Sequence, residues 1–456
     1  YDRIIKKHIL FILAILLLVS CKKEVIKNEA SEEFPGGATT YNNIFSGSFE
    51  QPSSNLNTEE LLQHNTGDAH FSANFVTSPA IRNQGLGPIF NHISCVVCHP
   101  KNGKSPQPFS GDDLKGLLFR ISIPGADIHG GPENAPGFGT QLQNKANVGK
   151  QAEASVQISF TETSYAFEDG TNYSLRKPSY TLINPYIALP ANILVSPRLG
   201  QQVIGLGLLE AINERDLLAH EDISDANGDG ISGKANKVWN PVSNKIEVGR
   251  FGWKAGNPTL LLQAAGALNQ DIGVTSHIFP SENSFGQTQY DGLNDEPEVD
   301  SQQLADLVLY TQTLAVPKRR DFNNSDVLSG KQLFFKIGCD KCHTQKYITG
   351  AGVTPSVSNQ TIYPYTDLLL HDMGPELADN RPDFLASGTE WRTPPLWGIG
   401  LTPLVNGHSN LLHDGRARNI LEAIMWHGGE AENQKIKVTK LSKKEREQLV
   451  RFVGSL

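Results

Sequence analysis

Apolar positions recur along this chain in three ways, each predicting a different kind of element. Near the start, Ile9 to Val19 is an unbroken apolar run behind Lys6 and Lys7, the layout of a secretory signal. At about 11 residues the run is too short to span a bilayer, which needs roughly 20. From residue 22 to 56 the chain turns polar, rich in Ser, Asn, Glu and Gly without apolar periodicity, as expected of a flexible tether. Helical spacing appears later. SQQLADLVLYTQTLAV (301–316) predicts one helix, and SDVLSGKQLFFKIG predicts a short amphipathic one with Ser329 as its cap and Gly338 as its end. In TKLSKKEREQLVRFVGSL, the positions of Leu441, Leu449, Phe452 and Val453 predict a terminal helix. Between about 215 and 300 the chain is rich in Asp, Asn and Gly.

Composition narrows the picture. A chain of 456 residues holds two or three domains. With 40 Lys+Arg against 48 Asp+Glu, a net charge of −8, nothing suggests a nucleic-acid partner. The basic stretch KIKVTKLSKKEREQ (435–448) reads as a solvated helix face.

The five cysteines carry the chemistry. Cys21 ends LVSC, similar to a lipoprotein signal box whose cysteine is acylated and becomes the mature N-terminus. That expectation makes 1–21 a signal peptide and 22–56 a tether to a lipid anchor in the membrane. The other four fall as CVVCH (95–99) and CDKCH (339–343). A C-x-x-C pair alone serves as a redox dithiol or a disulfide, and four thiolates can hold zinc. Neither use explains a histidine directly after each pair. A c-type haem does: the two thiols add to the porphyrin vinyl groups and the adjacent imidazole reaches the iron. The sequence therefore predicts two covalently bound haem c groups, at Cys95, Cys98 and His99, and at Cys339, Cys342 and His343.

A second ligand set is suggested by DANGDGIS (225–232), where Asp225, Asn227, Asp229 and Gly230 match the first half of a calcium loop. The twelfth position is Asn236 rather than Glu, so an Asx-rich turn without Ca2+ is the competing reading.

With both motifs placed, further segments fall into line. SGKQLFFKIGCDKCH, LLLHDMG (368–374), EWRTPPLWGIG (390–400) and LLHDGRARNILEAIMWHGG (411–429) resemble the C-terminal half of the bacterial dihaem cytochrome c peroxidase and MauG superfamily. GLGPIFNHISCVVCH, LRKPSYTLINP (175–185), GLGLLEAI (205–212), DANGDGISG and GRFGWKA (249–255) are similar to its branch of dihaem oxidoreductases, often labelled thiol oxidoreductases. The resemblance runs from about residue 58 to the end. It implies a mainly α fold, with two cytochrome c-like domains (57–215 and 301–456) facing each other and a loop-rich segment (216–300) between them. It also implies an electron-transfer haem in the C-terminal domain and a reactive haem in the N-terminal one.

Roles follow from the resemblance residue by residue. His99 and His343 are the implied proximal ligands. The superfamily's distal methionine falls here, counted from His413, on His427; Met425 would face another side of the helix, and Met373 reads as core. His427 is thus the expected distal ligand of a bis-histidine haem of lower potential than a His/Met one. Glu210 stands where the peroxidases carry a catalytic carboxylate that moves protons as O–O cleaves. Where they read W-D-G-R this chain reads SPRLG, so a bridging tryptophan is missing, with Trp253 as a substitute. His129 reads as loop rather than as a reversible cap on the reactive iron. Arg416 and Arg418 are candidate partners for haem propionates, and His371, His413 and Asp414 for hydrogen bonds around the haem. The implied protein is a lipid-anchored, peroxidase-like oxidoreductase of a Gram-negative-type cell envelope. It would take electrons from a small cytochrome, cupredoxin or quinol-linked protein and pass them to an oxidant such as hydrogen peroxide. The competing functions are an electron carrier without catalysis and a MauG-like oxidase of a protein or organic substrate. A thiol-oxidoreductase activity has no free dithiol to use.

Overall fold

The computed structural model describes residues 29–293 and 297–456. The signal peptide, Cys21 and the first residues of the expected tether lie outside them. No helix among the described residues is long and apolar enough to cross a membrane.

Two helix pairs frame the molecule. In the first, Thr58–Ser72 packs on Ser301–Thr313. Each begins with a reciprocal cap, Asn57 with Glu60 and Asp300 with Gln303, which satisfies N–H groups that the helix leaves unpaired. The two approach so closely that a Cβ at Gly67 would collide with the Asp306 carbonyl. In the second pair, Ser325–Ile337 crosses Lys443–Val453, and a Cβ at Gly330 would collide with the Gln448 carbonyl. The first of these helices ends at Gly338, whose φ of 94° suits glycine. Its cap is Asn324, not Ser329; Ser329 lies inside the helix with its hydroxyl on the Ser325 carbonyl. Ser442 caps the terminal helix, which buries Leu449, Phe452 and Val453.

The expectation of a mainly α protein is overturned. The chain is 29% helical and 20% strand, with several small sheets, close to an ordinary mixed domain. The strand content is concentrated between the first haem motif and residue 200. Leu117–Ala126 pairs with Leu194–Leu199 and Pro132–Glu133 in a three-stranded sheet. Ser155–Ala166 and Asn172–Ile183 form a long antiparallel hairpin in unbroken register, Ser155 facing Ile183 and Ala166 facing Asn172. β-branched and aromatic residues there alternate in direction, so Ile158 is buried in a local core with Phe119 and Leu117. The hairpin tip reaches the other end of the molecule: Phe167 joins the C-terminal core, under the Arg446 guanidinium at 3.9 Å, and Arg446 pairs with Asp169 at 2.8 Å.

The cores do not follow the expected segments. Phe71, Leu208, Leu260, Leu304, Tyr310 and Trp397 share one cluster, so the 216–300 segment and the 301–313 helix complete the N-terminal body. Residues 29–56, read from composition as tether, are docked on both bodies. Phe49 is fully buried, and buried Glu32 binds Arg319, Lys331 and the Tyr365 hydroxyl. A carboxylate with three such partners is fixed in place.

Candidate haem site

Both C-x-x-C-H motifs follow from local structure. Cys95–Cys98 is a single helical turn, and Cys339–Lys341 is a 3-10 turn hung from the Gly338 helix end. Each histidine N–H closes back on the first cysteine carbonyl, at 2.9 Å for His99 and 3.0 Å for His343. The four thiols are free of disulfides. Burial pushes those of Cys95 and Cys339 up to about 12, so without a bound group they sit as thiols. No cluster of three or more His, Cys, Asp and Glu side chains among the described residues could hold a metal ion, which disfavours a four-thiolate zinc site.

The two motifs line one continuous cavity of about 880 Å³, within the range of sites that take a large organic ligand. Its wall includes Cys95, Cys98, His99, Cys339, Cys342 and His343, with His427 from the end of the Ile420–Trp426 helix. The three imidazoles are prepared alike. Nδ1–H of His99 donates to the Gln201 carbonyl at 2.7 Å, that of His343 to Tyr365 at 3.0 Å and that of His427 to Ala423 at 2.7 Å. Such a bond fixes the tautomer and leaves Nε2 for a metal. Burial lowers all three, His343 to about 4, which favours the neutral, ligating form. His427 and His371 both lie near enough to His343 to add to its lowering. Met425 is buried in the C-terminal core and does not line the cavity. Met373 does, partly buried beside Trp253 and Trp426. The thiol pairs, the oriented imidazoles and the shared cavity fit two haem groups.

Glu210 is placed differently from its expected role. Its carboxylate accepts the Leu260 N–H at 2.7 Å and the Gln312 amide at 2.7 Å. It stands behind the wall rather than in it, although its neighbour Leu209 is a wall residue. Burial raises its carboxyl. The cavity carboxylates are instead Asp127, Asp271 and Asp383. Burial raises Asp271, against Arg120 and the Gln141 amide, whereas three arginines overcome burial and lower Asp383. Asp271, whose Oδ1 accepts from Gln141 at 2.6 Å, belongs to no motif and was missed by the sequence reading.

Aromatic residues gather at the same wall. Trp391 is stacked on His413, centroids 4.0 Å apart, and Trp253 donates its indole N–H to the Leu199 carbonyl at 2.7 Å; all three line the cavity. The expected loop residue His129 also lines it, stacked on Trp239 at 4.1 Å. Beside Cys342, His371 lies between Asp367 and Glu430, 2.8 Å from each. Burial alone would lower it, but Asp367 and its other neighbours hold it well above the ordinary histidine value.

Arg416 and Arg418 do not line the cavity. Arg416 is committed to Asp414 at 2.9 Å, and Arg418 to Glu422 at 2.7 Å and Glu162 at 2.8 Å. In the calcium-like loop, Asp225 accepts the N–H groups of Asp229 and Gly230, Asn227 accepts that of Asp229, and Asp229 pairs with Lys341 at 2.7 Å. Asn236 is buried elsewhere, on Lys254 and Asp383 carbonyls. The oxygens thus face donors, as in an Asx-rich turn.

No curated protein matches the chain. The family model described as di-haem oxidoreductase, putative peroxidase, matches residues 29–456. With every described residue inside the match and two oriented C-x-x-C-H sites sharing one cavity, this protein belongs to the di-haem oxidoreductase family.

Proposed function

We propose that the protein is a c-type dihaem peroxidase, holding its haems covalently at Cys95 and Cys98 and at Cys339 and Cys342. In this reading electrons enter at the His343 side, from a small cytochrome, cupredoxin or quinol-linked donor. They leave at the His99 side to a small oxidant such as hydrogen peroxide. The observation that carries it is one cavity shared by both C-x-x-C-H motifs, with His427 in its wall at the end of the Ile420–Trp426 helix, whereas the wall imidazoles His92, His129 and His413 are engaged by Asp113, Trp239 and Trp391. A saturated iron suits electron transfer and an open one suits reaction. Bound haem supplies the one-electron chemistry.

The chain's own residues then divide the remaining work. His99, His343 and His427, each with Nδ1 tied to a backbone carbonyl, would hold the irons through Nε2. Asp271, a carboxyl in the cavity wall whose hold on its proton is strengthened by burial, exchanges a proton with the oxidant. Glu210 acts at one remove, by fixing the start of the Leu260–Ala267 helix, which contributes Leu260, Gln263 and Ala264 to the wall. A cell-envelope location with a lipid at Cys21 accords with the apolar run and the need for covalent haem retention.

The test is a low-temperature EPR spectrum of the oxidised, haem-loaded protein and of His427→Ala, with peroxide-dependent oxidation of a reduced small cytochrome. The expected result is one high-spin and one low-spin haem, the low-spin signal lost in the variant, and peroxide-dependent turnover. Two low-spin haems without turnover would make it an electron carrier. Turnover of an organic or protein substrate in place of the cytochrome would make it MauG-like.

A further inference from the structure

Three arginines from distant parts of the chain meet in the cavity wall. Arg120 comes from the Leu117–Ala126 strand, Arg198 from Leu194–Leu199 and Arg381 from the loop before the Glu390–Arg392 strand. They gather around Asp383, whose Oδ2 accepts from Arg198 at 3.0 Å and from Arg381 at 3.3 Å, and all three hold its carboxyl ionised against the pull of burial. One carboxylate does not use up three guanidinium groups. Arg120 turns to the neutral Gln270 amide and has Asp271 as a second nearby carboxyl group, leaving Arg198 and Arg381 to share Asp383. Nη2 of Arg198 and Nε of Arg381 are buried with no hydrogen-bond partner among the described residues, although the Arg381 side chain is only 2% exposed. In the same cavity wall the Gln201 side-chain amide N–H is also buried without a partner; its oxygen accepts from Arg392 at 2.8 Å, and the backbone carbonyl of that residue orients His99.

Buried donors and buried positive charge left unmatched are costly. The residues that carry them line the cavity, so a small turn of each side chain would bring its spare donor to a ligand's anionic oxygens. A guanidinium fork suits a carboxylate, and a haem held at His99 would bring two of them. We infer that Arg198, Arg381 and Gln201 form the anchoring site for the propionate carboxylates of the N-terminal haem, in place of Arg416 and Arg418. This rests on covalent attachment of that haem at Cys95 and Cys98.

The experiment compares the haem-loaded wild type with Arg198→Leu, Arg381→Leu and Arg381→Lys, using exposed Arg215→Leu as control. The propionate-bending bands in the resonance Raman spectrum report the hydrogen bonding of the carboxylates, and haem stain on denatured protein reports attachment. The expected result is a shift of one haem's bands in both leucine variants and a smaller shift in Arg381→Lys. The other haem's bands and the Arg215→Leu spectrum stay unmoved, with stain retained throughout. Stain retained with bands unmoved in the leucine variants overturns the anchor alone. Should Arg381→Leu fail to fold, Arg198→Leu decides on the same readout. A Cys95→Ser, Cys98→Ser protein that keeps the full stain would instead overturn the attachment on which the anchor rests.

Discussion

The Glu210 carboxylate accepts the backbone N–H of Leu260 at 2.7 Å, joining the short Leu206–Glu210 helix to the start of a helix fifty residues on. The first prediction separates this role from proton transfer. Glu210→Gln keeps an oxygen for Leu260, and the Gln312 amide can turn to match it. We expect near-native melting and turnover. Glu210→Ala strands the N–H and should cost about 1–2 kcal/mol in stability, read by thermal unfolding. Equal loss of peroxide turnover in both variants, with stability intact in the first, would return Glu210 to catalysis.

Asp271 is the carboxyl expected to move the proton. Asp271→Asn preserves shape and an acceptor for Gln141 but cannot exchange a proton. Peroxide turnover should fall by about 10²- to 10⁴-fold, with haem stain and EPR signals unchanged. Wild-type turnover in this variant would exclude the role.

Glu153 supplies a pH dependence of stability. It is fully buried, accepting from the Gln143 N–H at 2.6 Å and the Gln287 amide at 3.0 Å, and burial raises it to about 8. The folded state therefore holds this proton more tightly than the unfolded chain. Its contribution is full below the unfolded value of 4.5 and is progressively lost as pH rises to about 8. The slope is at most about 1.4 kcal/mol per pH unit. Denaturant unfolding between pH 5 and 8 should show this decline in the wild type and a flatter profile in Glu153→Gln; parallel profiles would refute it.

The two glycine crossings predict matched lesions. Gly67→Ala and Gly330→Ala each push a methyl into a backbone carbonyl that cannot rotate away. Each should lower stability by about 1–3 kcal/mol, measured as a fall in Tm. Alanine at either position without a fall would mean that the helices can separate freely.

The loop around Asp225 and Asp229 should be indifferent to calcium, since its carboxylates are occupied by N–H groups and Lys341. Millimolar calcium and chelator should give the same melting curve. A calcium-dependent rise in Tm would assign the loop to cation binding.

Much of the site was legible because its parts are local. Cys95 to His99 and Cys339 to His343 each lie within one turn. The strands were less legible. Val156, Ile158 and Phe160 do alternate, but nothing local tells that the hairpin they begin ends in the core of the other body, at Phe167. Non-local charge was not legible at all: Arg120, Arg198 and Arg381 acquire meaning only when the fold brings them to Asp383. Glu210 shows the converse, a motif position whose side chain the fold turns toward Leu260.

The helix crossing at Gly67 also sets an order of events. Its partner, Ser301–Thr313, emerges from synthesis long after Cys95 to His99, whereas the pair crossing at Gly330 brackets a contiguous stretch of chain. Contacts so far apart in sequence form late. The first C-x-x-C-H turn therefore waits, its Phe71 side still uncovered, while most of the protein is made. The second draws on its own segment and on Phe167 and Asp169 of a hairpin already made, whereas the N-terminal body, first to be begun, is finished only once residues as late as Trp397 have emerged.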